Sequence, residues 1–155
     1  MQGNKDACFT SGSDEWRTPK DLFNKLNAVF HFTHDMAATP ENTLCPMFLS
    51  DYMSQELYAE HDSVFWCNPP YSKCKEFVQL LQKFPLPVVM LLPARVDTKW
   101  FQALRPGTVV CFIKGRLKFS ESKMSAPFPS ILVGLHCSDE EHFKIFNSLG
   151  LTVIV

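Results

Sequence analysis

A side-chain amide, two prolines and a phenol follow an apolar run in "VFWCNPPYSK", residues 64–73. The run 64–67 reads as a buried strand. The prolines end it, because proline offers no N–H to a sheet. A plain strand end needs neither Asn68 nor Tyr71. Together these four residues can do chemistry on an aromatic amine, which is a poor nucleophile because its lone pair is delocalised into the ring. Two acceptors, the Asn68 side-chain oxygen and the Pro69 carbonyl, would hydrogen-bond both amino protons, favour a more tetrahedral nitrogen and free that pair. The stiffness of Pro69 and Pro70 suits the task, since a small misplacement is expensive in rate. Tyr71 offers a face for a flat base to stack on. The plain alternative is a proline-terminated strand with a packed tyrosine.

A second polar group ends another short strand, "HFTHD", at Asp35. Ligands of open α/β sheets bind beyond the carboxyl ends of the strands, and both groups fall there. A loop rich in proline and asparagine, 39–46, lies between them. Further upstream, Thr18-Pro19 opens a helix, with Thr18 as its expected N-cap and proline well placed in the first turn. A helix start favours an anion.

The elements that must position these groups are legible from periodicity. Leu22, Phe23, Leu26, Val29 and Phe30 recur at helical spacing. The loop-rich stretch 36–62 holds one short helix near 54–60. "SKCKEFVQLLQKF" predicts a helix with Phe77, Leu80, Leu81 and Phe84 on one face. "VVMLLP", 88–93, predicts a fully buried strand, and 98–104 a short helix. "TVVCFIKG", "RLKFS" and "SILVGL" read as strands, the first two joined near Lys114-Gly115. "DEEHFKIFNSLG" is a helix with an acidic start and a glycine stop, and "LTVIV" a closing strand. Helices alternate with buried strands early and strands cluster late. The pattern predicts one α/β domain over residues 1–155, its sheet mostly parallel with an antiparallel edge. Residues 1–13 read as a flexible lead-in.

Composition narrows the function classes. With 46% apolar and 13% aromatic residues among 155, the chain is globular. No apolar run approaches a membrane span, and the polar start has no signal-peptide core, so a cytoplasmic protein is expected. Six cysteines form no C-x-x-C pair and keep no zinc-like spacing with the five histidines; buried free thiols are expected, and no metal. Net charge is −1, unevenly spread: residues 1–72 carry −6 and residues 73–123 carry +7. That basic middle is either a phosphate-binding surface or a solvated one.

Six segments in order, "DEWRTPKDLFNKL", "HDMAATPEN", "VFWCNPPYS", "VVMLLPARVDTKWF", "GRLKFS" and "APFPSILVGL", resemble the small phage-type DNA adenine methyltransferases. The resemblance spans residues 14–135. It implies a single Rossmann-like methyltransferase domain without a separate target-recognition domain. It implies methyl transfer from S-adenosylmethionine to the 6-amino group of an adenine flipped out of double-stranded DNA. It makes Asn68, Pro69, Pro70 and Tyr71 the catalytic motif, and puts Trp16, Thr18, Pro19, Asp35, Ala37 and Asn68 at the cofactor. Asp35 would face the methionine amino group, and Thr18-Pro19 the carboxylate. Ala37-Ala38-Thr39-Pro40 stands where most methyltransferases have a glycine-rich loop, a departure these phage-type enzymes share. Arg95, Lys99, Arg116, Lys118 and Lys123 are the implied phosphate contacts, with Phe119 or Phe128 as a second face for the base. If phage-encoded, the enzyme would act in the host cytoplasm. Two rivals remain: an RNA or protein-glutamine methyltransferase using the same tetrapeptide, and a catalytically silent nucleic-acid-binding module.

Overall fold

Central strands buried at every position send alternate side chains to opposite faces and so build two cores, one on each face of a single sheet. The computed structural model describes residues 16–49, 60–119 and 125–155. Its strands are β1 (His34–Asp35), β2 (Met47–Phe48), β3 (Phe65–Cys67), β4 (Val88–Pro93), β5 (Val109–Ile113), β6 (Ser130–Leu135) and β7 (Gly150–Ile154). Its helices are α1 (Lys20–Phe30), α2 (Cys74–Leu81), α3 (Lys99–Gln102) and α4 (Glu140–Leu149), and a 3-10 turn, Tyr71–Lys73, precedes α2. The strand order is β2-β1-β3-β4-β6-β5-β7. The first four strands run parallel; β6, β5 and β7 add antiparallel pairings.

Successive side chains of a strand point to opposite faces. Trp66, Val89, Leu91, Cys111 and Leu132 therefore join Leu22, Phe23, Leu26 and Phe30 of α1 and Phe146 of α4. Phe65, Cys67, Val88, Met90, Leu92, Val110, Ile131 and Val133 pack on the other face against Phe77, Val78 and Leu81 of α2 and Trp100 of α3. The five described cysteines are free and buried; Cys8 lies outside the described residues. Burial pushes Cys45 and Cys137 up to about 12 and Cys67 well above its usual value, so these thiols stay protonated and are poor nucleophiles.

Several sequence expectations need correction. Of 31–35 only His34–Asp35 is strand, because His31 adopts a left-handed φ of 53° that closes α1. The loop-rich stretch contains β2, which exists only by pairing with β1. Most of the helix expected near 54–60 lies outside the described residues. Residues 116–119 of "RLKFS" form no strand; the chain turns at Gly115, φ 76°, and runs as a loop fastened by Ala126 N–H to the Leu117 carbonyl, 2.7 Å. The cap of α1 is Pro19, with no side-chain cap bond, so Thr18 is not its N-cap. Gly150 is a glycine because a Cβ there would collide with the Phe112 carbonyl oxygen.

Candidate active site

The chain leaves β1 toward β2 on one side and leaves β3 toward β4 on the other. The crevice between β1 and β3 is therefore the topological switch point, where open sheets bind ligands. The register pairs Asp35 with Trp66, which sets Ala37 about level with Asn68. Asp35 and Asn68, separated by a loop in sequence, thus meet at one crevice.

Asn68 is held by segments far from it in the chain. Its Nδ2 donates to the Trp16 carbonyl at 2.5 Å and to the Thr18 hydroxyl at 3.0 Å. A carbonyl only accepts, so the amide nitrogen must face it. That fixes which end of the amide is Oδ1, the acceptor left for a ligand. The hydroxyl expected to cap α1 is buried here instead. The Pro70 carbonyl is taken by the Lys73 N–H, 2.9 Å, in the 3-10 turn that lifts Tyr71 out of the strand line.

Four aromatic rings cluster beside Asn68. Trp16 and Tyr71 are roughly parallel, 23° between planes, with centroids 6.2 Å apart. Phe128 meets Tyr71 edge-on at 4.8 Å and Trp16 at 5.6 Å. Phe119 tilts against Trp16 at 5.3 Å. Trp16, expected with the cofactor residues, stands with the stacking rings. Both phenylalanines considered for the second stacking face belong to the cluster, Phe119 buried and Phe128 partly so. Burial raises the Tyr71 phenol far above its usual pKa, with the Arg95 charge pulling it back, so it remains a neutral ring.

Asp35 is 4% exposed. Its carboxylate accepts the Ala37 N–H at 3.3 Å and the Leu44 N–H at 3.2 Å, tying the 39–45 loop to β1. Burial pushes its pKa up to about 6, with the two N–H groups opposing the rise. An inward carboxylate raised in this way suits a cationic ligand.

The cations sort by the end of the sheet on which they fall. Arg95 and Lys99 are exposed just beyond the carboxyl end of β4. Arg116 and Lys118 are exposed beyond that of β5, which runs the same way. Arg116 also donates to the Ala126 carbonyl at 3.4 Å. Lys123 lies outside the described residues. Lys73 and Lys114, exposed at the same end, were not singled out from sequence. Lys83 and Arg105 of the same basic segment fall at the opposite end, where Arg105 holds the Gln82 carbonyl at 2.6 Å. Among the described residues no group of three or more His, Cys, Asp or Glu stands together as a metal site, and no helix is long and apolar enough to cross a membrane.

Parallel strands with a crevice at the β1/β3 switch and antiparallel strands beyond make this a Rossmann-like methyltransferase fold, with an Asn-Pro-Pro-Tyr corner at its ligand-binding end. The chain belongs to the DNA N-6-adenine-methyltransferase (Dam) family, whose model matches residues 7–131. No curated protein matches the chain. Membership makes it an S-adenosylmethionine-dependent DNA adenine methyltransferase, which sets aside the RNA, protein-glutamine and non-catalytic readings.

Proposed function

We propose that Asn68, Pro69, Pro70 and Tyr71 carry the methylation of a flipped adenine. The observation that supports this most is the fixed amide of Asn68, whose nitrogen is engaged by Trp16 and Thr18. Its oxygen, with the Pro69 carbonyl, accepts the two protons of the adenine 6-amino group. The amino lone pair is then available for attack: the nitrogen would gain the methyl as the methyl's bond to the donor sulfur breaks and leaves a neutral thioether, and would give up one of its two held protons, which reaches solvent when the product leaves. S-adenosylmethionine supplies that methyl already activated on a sulfonium. Tyr71 stacks on the extruded ring, and the surrounding aromatics exclude water. Asp35 takes the cofactor's ammonium, while Trp16, Thr18, Pro19 and Ala37 border it, with the start of α1 offering N–H groups to its carboxylate. The fit rests on a buried carboxylate whose pKa is raised and whose described bonds are to two backbone N–H groups.

The same reading takes residues 1–155 as one methyltransferase domain, working in the cytoplasm. Nucleoside mass spectrometry of plasmid DNA, from a host lacking adenine methylation, tests it. Expression of the chain is expected to produce 6-methyladenine; plasmid without it would defeat the reading.

The duplex lies along Arg95, Lys99, Arg116 and Lys118, which are exposed at the same end of the sheet as the site. Each phosphate neutralised releases condensed counterions, so affinity falls steeply with salt. Arg95→Ala and Lys99→Ala are each expected to weaken binding to all sequences alike and to lower the salt slope by about one. Cofactor affinity should not change. Fluorescence anisotropy across a salt series measures this, and an unchanged slope in both variants would move the duplex elsewhere.

A further inference from the structure

Native proteins leave few buried polar side chains without a hydrogen bond, and each exception calls for a reason. Four such atoms occur among the described residues: Trp66 Nε1, Tyr71 Oη, Ser130 Oγ and His142 Nδ1. Two of them, on Tyr71 and Ser130, lie at the carboxyl ends of the parallel strands, where the substrate must enter. Tyr71 is already part of the stacking surface. Ser130 is unused by anything described above.

Ser130 is 1% exposed and opens β6, opposite Pro93 at the end of β4. Strand alternation sets its side chain on the same face as Leu132, the face shared with Trp16, Phe119 and Phe128. Asn68 points to that face too, since it reaches Trp16 and Thr18. Strand β4 alone separates β3 from β6. From the register Cys67↔Met90 and Pro93↔Ser130, Ser130 sits two strands across and about two residues further out than Asn68. That separates their Cα atoms by about 12 Å, the order of distance spanned by a purine with a hydrogen bond at each end. Phe128, two residues before Ser130, touches Tyr71 edge-on.

We infer that the Ser130 hydroxyl reads the flipped adenine, donating a hydrogen bond to a ring nitrogen while Asn68 and Pro69 hold the 6-amino group. The assignment rests on the proposed site at Asn68–Tyr71 and extends it from catalysis to recognition of the base. A hydroxyl left unpaired in the free enzyme and paired in the complex gives selectivity, because a base that cannot accept leaves it buried without a partner.

The test is a chemical double-mutant cycle. Random-sequence duplexes are made with adenine throughout, or with its 1-deaza, 3-deaza or 7-deaza analogue, each lacking one ring nitrogen. One analogue is expected to lower wild-type kcat/KM about tenfold, and Ser130→Ala to lower it about tenfold on ordinary adenine. The two changes together should cost no more than either alone. Ser130→Cys, which keeps the shape and a weaker donor, should fall between. Without DNA, Ser130→Ala should melt no lower than wild type, since the hydroxyl has no partner to lose. A hydroxyl with a structural role would lower the melting temperature instead. Strictly multiplicative losses, an unimpaired Ser130→Ala enzyme or a clearly lower melting temperature would each overturn the assignment. A wild type inactive on ordinary adenine would defeat the underlying site reading itself, whereas an active wild type matched by Ser130→Ala defeats only the role of Ser130.

Discussion

Asn68→Ala is expected to lower kcat by about 100- to 1,000-fold, the usual cost of removing one preorganised group aimed at charge that develops in the transition state. Cofactor affinity should stay within a few-fold of wild type. The loss has two parts. The Oδ1 acceptor disappears, so one amino proton is unbound and the lone pair stays delocalised. The two bonds from Nδ2 also disappear, which weakens the tie between β3 and the segment carrying Trp16 and Thr18. The first part acts on the chemical step and the second on the stacking surface, so kcat should fall more than KM rises. Tritiated methyl incorporation beside calorimetric cofactor binding separates the two. Full activity in the variant would remove Asn68 from the catalytic step.

Asp35 carries the second large effect. Its pKa in the ligand-free fold is raised to about 6 from an ordinary 3.8, mainly by burial. A raised carboxyl binds a proton more readily folded than unfolded. Its contribution therefore favours the fold below 3.8 and turns against it as pH rises through about 6. At 1.36 kcal/mol per unit of pKa, the ionised group destabilises the ligand-free protein by about 3 kcal/mol at neutral pH. A bound ammonium reverses that balance by favouring the charged form. Wild-type affinity for S-adenosylmethionine should thus be flat between about pH 6 and about pH 8, where the cofactor's own amino group loses its charge, and fall by up to tenfold per unit below about pH 6, with proton uptake by Asp35 opposing binding. Asp35→Ala and Asp35→Asn should weaken binding by about 1.5–3 kcal/mol, roughly 10- to 150-fold in Kd, and flatten the pH profile. Calorimetry in buffers of different ionisation enthalpy reads both the affinity and the released proton. An unchanged Kd with an unchanged profile would make Asp35 only the tie between β1 and the 39–45 loop.

Local pattern alone determined a good deal of this protein. The runs 88–93 and 130–135, apolar but for Ser130 at the edge of the second, match β4 and β6 in full, because a strand covered on both faces reads as a near-continuous apolar stretch. Helix α4 starts and stops near its acidic and glycine signals. The order of six segments was enough to name the family, and Asn-Pro-Pro-Tyr and Asp35 were visible as polar residues where strands stop. The short strands β1 and β2 were not legible, since two residues in extended form have no periodicity and are strands only because a partner lies alongside.

Tertiary structure decided the rest. Only long-range pairing inserts β6 between β4 and β5, and that insertion brings Ser130 to the ligand-binding end. A local rule assigns Thr18 to capping α1, but Asn68, 50 residues away, takes its hydroxyl. Trp16 lies far from Tyr71 in sequence, yet the fold sets the two rings roughly parallel to each other. The basic segment 73–123 is one run in sequence, yet the sheet sends Arg95, Lys99, Arg116 and Lys118 to the site end and Lys83 and Arg105 to the other. The physical reason is common to all four cases. Propensity and spacing act over a few residues, whereas strand order and the pairing of buried polar groups are set by burial and hydrogen bonding across the whole chain, which no local window contains.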